Sequence, residues 1–134
     1  MTIIVGYVPR PEGRAALQAA IEQARLFGSK LYVVNFSRGD RHVDPSFASA
    51  EDLAELRQLL DGSGVEFEVA QVVTGEDAWE DVIDAADKQQ ARMIVIGMRK
   101  RSATGKLLFG SNAQRILLQA HCPVLAVKAP EGTH

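Results

Sequence analysis

Five short apolar runs in this chain are separated by four segments whose apolar residues recur at helical spacing, and that alternation leaves few folds open. Ile3-Ile4-Val5-Gly6-Tyr7-Val8, mostly β-branched and ended by Pro9, has the pattern of a strand buried on both faces. From Pro11, apolar residues at Ala16, Leu17, Ala20, Ile21, Ala24 and Phe27 form a helical stripe, with proline at its start and Gly28 just past its end. Leu31 to Phe36 predicts a second strand. After the polar stretch 37–45, Leu53, Leu56, Leu59 and Leu60 mark a helix that stops before Gly62. Val65 to Val72 alternates apolar and polar residues, which predicts an edge strand with one exposed face. Asp77 to Gln89 predicts a helix, with Asp77 and Glu80 spaced as a capping pair and Trp79, Val82, Ile83 and Ala86 facing inward. Met93 to Gly97 is uninterruptedly apolar, as a central parallel strand should be, and a helix from about Ser111 to Ala120 precedes a last strand, Val124 to Val127.

Strands alternating with helices join by right-handed crossovers into a parallel sheet. The expectation is therefore a doubly wound α/β fold, five parallel strands in the order 3-2-1-4-5 with helices on both faces. At 134 residues the chain has the size of one domain spanning 1–134. In such sheets ligands bind outside the carboxyl ends of the strands, where the strand order reverses. That places any site beside the segments 8–11 and 98–110.

The second of these segments is unusual. Met98 to Phe109 holds twelve residues, against roughly two to six for most such connections, and contains Arg99, Lys100, Arg101, Lys106, Ser102 and Thr104 with no acid among them. Gly110-Ser111-Asn112-Ala113-Gln114 follows, with Ser111 and Gln114 spaced as a capping box at a helix start. The free amides of such a start carry the positive end of the helix dipole and can hold a phosphate if Gly110 lets it approach. A second reading stays open, in which Gly110-Ser111 is an ordinary cap and the cations are a solvated loop surface.

Other chemistry is not supported. A formal net charge of −2 argues against a general nucleic-acid binder, and no apolar stretch reaches the length of a membrane span. A single cysteine, Cys122, excludes an intramolecular disulfide, and the apolar N-terminal run has no basic leader before it, so the expected location is cytoplasmic. His42, His121 and His134 stand apart without a metal-ligand cluster. His121 is expected to favour a helix C-terminus, and Cys122, Trp79 and Phe36 to serve packing. The chain holds neither a Gly-x4-Gly-Lys-Ser/Thr phosphate loop, a Gly-x-Gly-x-x-Gly fingerprint nor a Gly-x-Ser-x-Gly elbow, and Pro9-Arg10-Pro11-Glu12-Gly13 lacks the histidine an adenylyl-transferring enzyme of related fold would want. No catalytic residue and no metal ligand is identified.

The run from Gly97 through Lys128 resembles the C-terminal half of universal stress proteins, and the strand-helix order matches over nearly the whole chain. The family's ATP-binding motif is Gly-x2-Gly-x9-Gly followed by Ser or Thr; Gly97 matches its first glycine and Gly110-Ser111 its final pair, while Lys100 replaces the middle glycine. Val8 stands where ATP-binding members usually carry an aspartate that contacts the base end of the nucleotide. Leu117 to Lys128 is similar to the family's closing helix and strand. The resemblance implies a Rossmann-like, adenine-nucleotide α-hydrolase-like sheet. It also implies a site for ATP or another adenine nucleotide at Gly97, Gly110 and Ser111, to which the basic loop and helix start add Arg99, Lys100, Lys106 and Asn112, with Mg2+ entering only with the nucleotide. A homodimer formed through the last strand and a role in stress response follow from the same resemblance. Two functions stay open, a nucleotide-binding regulator with at most slow hydrolysis and a nucleotide-free homodimeric interaction module.

Overall fold

A computed structural model describes residues 1–37, 49–73, 78–100, 107–108 and 111–129. At 36–37, 72–73, 78, 99–100, 107–108 and 111–112 the backbone alone is described. Strand β1, Thr2–Tyr7, is buried along its whole length, as a β-branched run flanked on both sides must be. Helix α1, Pro11–Phe27, begins on Pro11 and ends at Gly28, whose left-handed φ of 61° turns the chain so that the Ser29 amide donates back to the Ala24 carbonyl at 2.9 Å. Strand β2, Lys30–Ser37, follows.

Helix α2, Ala50–Asp61, opens with a cap the leucine pattern did not disclose: the Asp52 amide donates to Ser49 Oγ and the Ser49 amide donates to the Asp52 carboxylate. Strand β3, Phe67–Val73, starts two residues later than expected, and helix α3 is Ala78–Lys88, so the proposed capping residue Asp77 lies outside the described residues. Strand β4, Met93–Lys100, runs three residues past Gly97. A two-residue strand β5, Leu107–Leu108, pairs antiparallel with the end of β4, Arg99 opposite Leu108 and Lys100 opposite Leu107. Helix α4, Ser111–Gln119, and strand β6, Val124–Lys128, complete the described chain.

Five strands are mutually parallel, in the order β3-β2-β1-β4-β6, which is 3-2-1-4-5 when the parallel strands alone are counted. β5 is the addition: what the sequence presents as one long loop is partly a continuation of β4 and a short return strand beside it. Among the described residues β3 pairs with β2 alone and β6 with β4 alone, so both are edges, as the alternating pattern of the first and the terminal place of the second predicted.

Alternate residues of the strands feed two cores. Ile3, Val5, Tyr7, Leu31, Val33 and Val95 pack with Ala16, Leu17, Ala20 and Ile21 of α1 and Leu56 and Leu60 of α2 on one face. Ile4, Val34, Ile94 and Ile96 pack with Val82 and Ala86 of α3 and Ile116 of α4 on the other. The helices thus cover both faces, and the order reverses between β1 and β4.

Candidate functional site

The order reverses at the carboxyl ends of β1 and β4, where sheets of this kind leave a crevice, flanked by α1, which packs on one face and follows β1, and by α4, which packs on the other and follows β5. Two glycines let the first turn of α1 press into this seam. A Cβ on Gly97 would run into the Glu12 carbonyl, 2.6 Å from its carbon, and a Cβ on Gly13 would run into the Val8 carbonyl, 2.8 Å from both its carbon and the Val8 nitrogen. Gly97 therefore has a packing reason to be glycine, because α1 cannot rest on β4 otherwise.

The predicted site residues fall into three groups. Gly97 lies in β4 on the α1 face, and Arg99 and Lys100 continue that strand and are tied by backbone pairing to Leu108 and Leu107. Ser111 and Asn112 are the first two residues of α4, so this helix starts where the sequence predicted, with its amides at the carboxyl end of the sheet. Lys106 and Gly110 lie outside the described residues. Beyond β1, Val8 is partly buried and its carbonyl accepts the Arg10 amide at 2.8 Å.

Sequence reasoning missed three polar elements at this end of the sheet. Asn35, fully buried, donates from Nδ2 to the Tyr7 carbonyl at 2.9 Å and accepts from Gln71 Nε2 at 3.0 Å, so one amide chain ties the ends of β1, β2 and β3. The signal available was a lone amide inside the apolar run Leu31 to Phe36. Arg10 and Glu12 form the second element, an ion pair of 3.6 Å between Nε and Oε1 with the Glu12 side chain only 8% exposed. The third is the Tyr7 phenol, which burial raises above its ordinary pKa while the Arg14 guanidinium opposes that shift.

The remaining histidine and cysteine sit elsewhere. His121, past the end of α4, places Nδ1 3.0 Å from an Asp87 carboxylate oxygen of α3, so it has a carboxylate partner in addition to a helix end. Cys122 is half-buried against the α3–α4 core, with burial first and Asp87 second raising its thiol pKa. Trp79 packs in that same core, with the Arg115 guanidinium 5.9 Å from its ring centre. Among the described residues no cluster of His, Cys, Asp and Glu could hold a metal, and no helix is long and apolar enough to cross a membrane.

Comparison with known proteins matches the universal stress protein family model over residues 1–128. A universal stress protein of Mycolicibacterium smegmatis is 46% identical over 130 residues, covering 97% of this chain and 98% of the relative. Among solved structures, a universal stress protein from Archaeoglobus fulgidus superposes with a TM-score of 0.69 at 36% identity, covering 96% of this chain and 98% of the other. The structure of the universal stress protein from the same organism in complex with dAMP gives a TM-score of 0.63 at 30% identity, with the same shares covered.

Proposed function

The chain belongs to the universal stress protein family, and from that premise we propose that it binds ATP or another adenine nucleotide in the β1–β4 crevice and acts as a cytoplasmic stress-response regulator. The observation that carries this reading is the pairing of Arg99 and Lys100 with Leu108 and Leu107. It sets the two basic residues that end β4 beside a strand whose last residue, Leu108, stands three positions before the helix start at Ser111, where an anion is favoured. The dAMP complex of the archaeal relative supports an adenine nucleotide as the ligand class. In this reading Gly97, Arg99, Lys100, Lys106, Gly110, Ser111 and Asn112 line the phosphate end, and Mg2+ enters with a triphosphate. No residue is assigned to hydrolysis.

Mass spectrometry of the purified, denatured protein tests this first, with carried-over adenine nucleotide as the expected result. Calorimetry should then rank ATP above AMP and AMP above adenosine, with affinity falling as salt is added. Equal affinities for ATP and adenosine would contradict the phosphate assignment.

A second reading, a nucleotide-free homodimeric module, draws on different observations. Gly97 is already explained by the contact with Glu12, Val8 and Lys100 depart from the family motif, and Leu117, Leu118 and Leu125 are exposed on α4 and β6. An apolar edge strand favours pairing with a second copy in either reading. Absence of nucleotide in the purified protein together with absence of heat on titration with ATP would select the second reading.

A further inference from the structure

We propose that Arg10 is a second cationic arm of the crevice, binding the nucleotide's phosphate chain from the β1–α1 side; the inference rests on the nucleotide reading above. The root of this side chain is fixed. Arg10 caps α1 in extended conformation, its amide donates to the Val8 carbonyl at 2.8 Å and its carbonyl accepts the Arg14 amide at 2.9 Å. Its neighbour Glu12 lies with its backbone against Gly97, so the Arg10–Glu12 pair sits on the seam between β1 and β4.

The side chain itself is incompletely satisfied. Nε is buried and makes no hydrogen bond, because Glu12 Oε1 stands 3.6 Å away, near enough for charge attraction but too far for a hydrogen bond. Such a buried donor ordinarily finds a partner, while 37% of the Arg10 side chain remains exposed. A planar guanidinium held by one long ion pair beside the β1–β4 seam is suited to fork onto phosphate oxygens. Glu12 then has a defined part: it holds the guanidinium in place and competes with the ligand for it.

Calorimetric titration of the intact chain with ATP, AMP and adenosine tests this in Arg10→Gln, Arg10→Lys and Glu12→Gln, each first checked for native circular dichroism. Loss of one charge-assisted contact should weaken ATP binding about tenfold in Arg10→Gln and leave adenosine unchanged. Arg10→Lys should recover part of the loss, since charge returns without the fork. Glu12→Gln should tighten ATP binding, a change opposite in sign to fold damage. Arg10→Gln binding ATP as tightly as the parent overturns the role of Arg10 and leaves the nucleotide reading standing, and equal losses for ATP and adenosine do the same. Glu12→Gln weakening ATP also overturns it. A parent that binds neither ATP nor adenosine overturns both.

Discussion

Gly97→Ala separates a packing role from a ligand-approach role at the first glycine of the motif. The added Cβ would stand 2.6 Å from the Glu12 carbonyl carbon and 3.1 Å from its Cβ, whereas ordinary contact begins at 3.4 Å. The first turn of α1 must therefore retreat by at least 0.8 Å, from 3.4 − 2.6, and the obstruction is backbone, which has no rotamer to change. The same turn is held on its other side by the Gly13 contact with Val8, so retreat disturbs the end of β1 as well. Overpacking of this kind costs about 2 kcal/mol, and restriction of the unfolded chain by the new methyl returns about 0.5 kcal/mol. The net loss of about 1.5 kcal/mol corresponds to about 5 °C in Tm for a chain of this size. Urea denaturation followed by circular dichroism at fixed protein concentration measures it. Gly62→Ala is the control, because its Cβ would meet nothing nearer than 3.7 Å and its φ of −78° suits any residue. Gly97→Ala within about 0.5 kcal/mol of the parent, or Gly62→Ala costing as much, would refute the packing argument.

Asn35→Ala should cost about 1–3 kcal/mol, because the Tyr7 carbonyl loses its side-chain donor in a buried place; a loss confined to a few tenths in urea melts would contradict that. Tyr7 has a folded-state pKa above its unfolded value, so the neutral phenol stabilises the fold below pH 10 and that contribution is lost as pH rises through the folded value. Tyr7→Phe should accordingly flatten the alkaline limb of the stability-against-pH curve, and an unchanged limb would show that Tyr7 does not govern it. Pairing through β6 predicts a concentration-dependent dimer in sedimentation that Leu125→Lys weakens; monomer alone at micromolar protein would remove the dimer.

The parallel sheet was legible in the sequence because its strands are short apolar runs and its helices carry clean stripes, so local pattern and tertiary burial agree at Ile4, Val95, Leu17 and Ile116. The return strand β5 was not legible. Arg99 and Lys100 carry no strand pattern, and two residues, Leu107 and Leu108, are too few to show a period. Likewise Gly97 matched the motif by spacing, but its tight approach to Glu12 is a tertiary contact across 85 positions that no local pattern encodes. The Ser49–Asp52 cap lay in a segment dominated by its leucines, and the unusual pair at Arg10 and Glu12 reads in sequence as an ordinary helix start.

The pairing of Ile3 with Met93, ninety positions later, also dictates the order in which a nascent chain can assemble. β1, β2 and β3 with α1 and α2 are complete once residue 73 has been made, whereas β4 begins at Met93, about one to four seconds later at ordinary synthesis rates. Until then a half-sheet offers β1, its most apolar strand, as an open edge to anything nearby. The seam that β4 closes is the same seam on which the crevice lies, so a ligand bridging it would fasten together the early half of the sheet and the late half, which β6 completes.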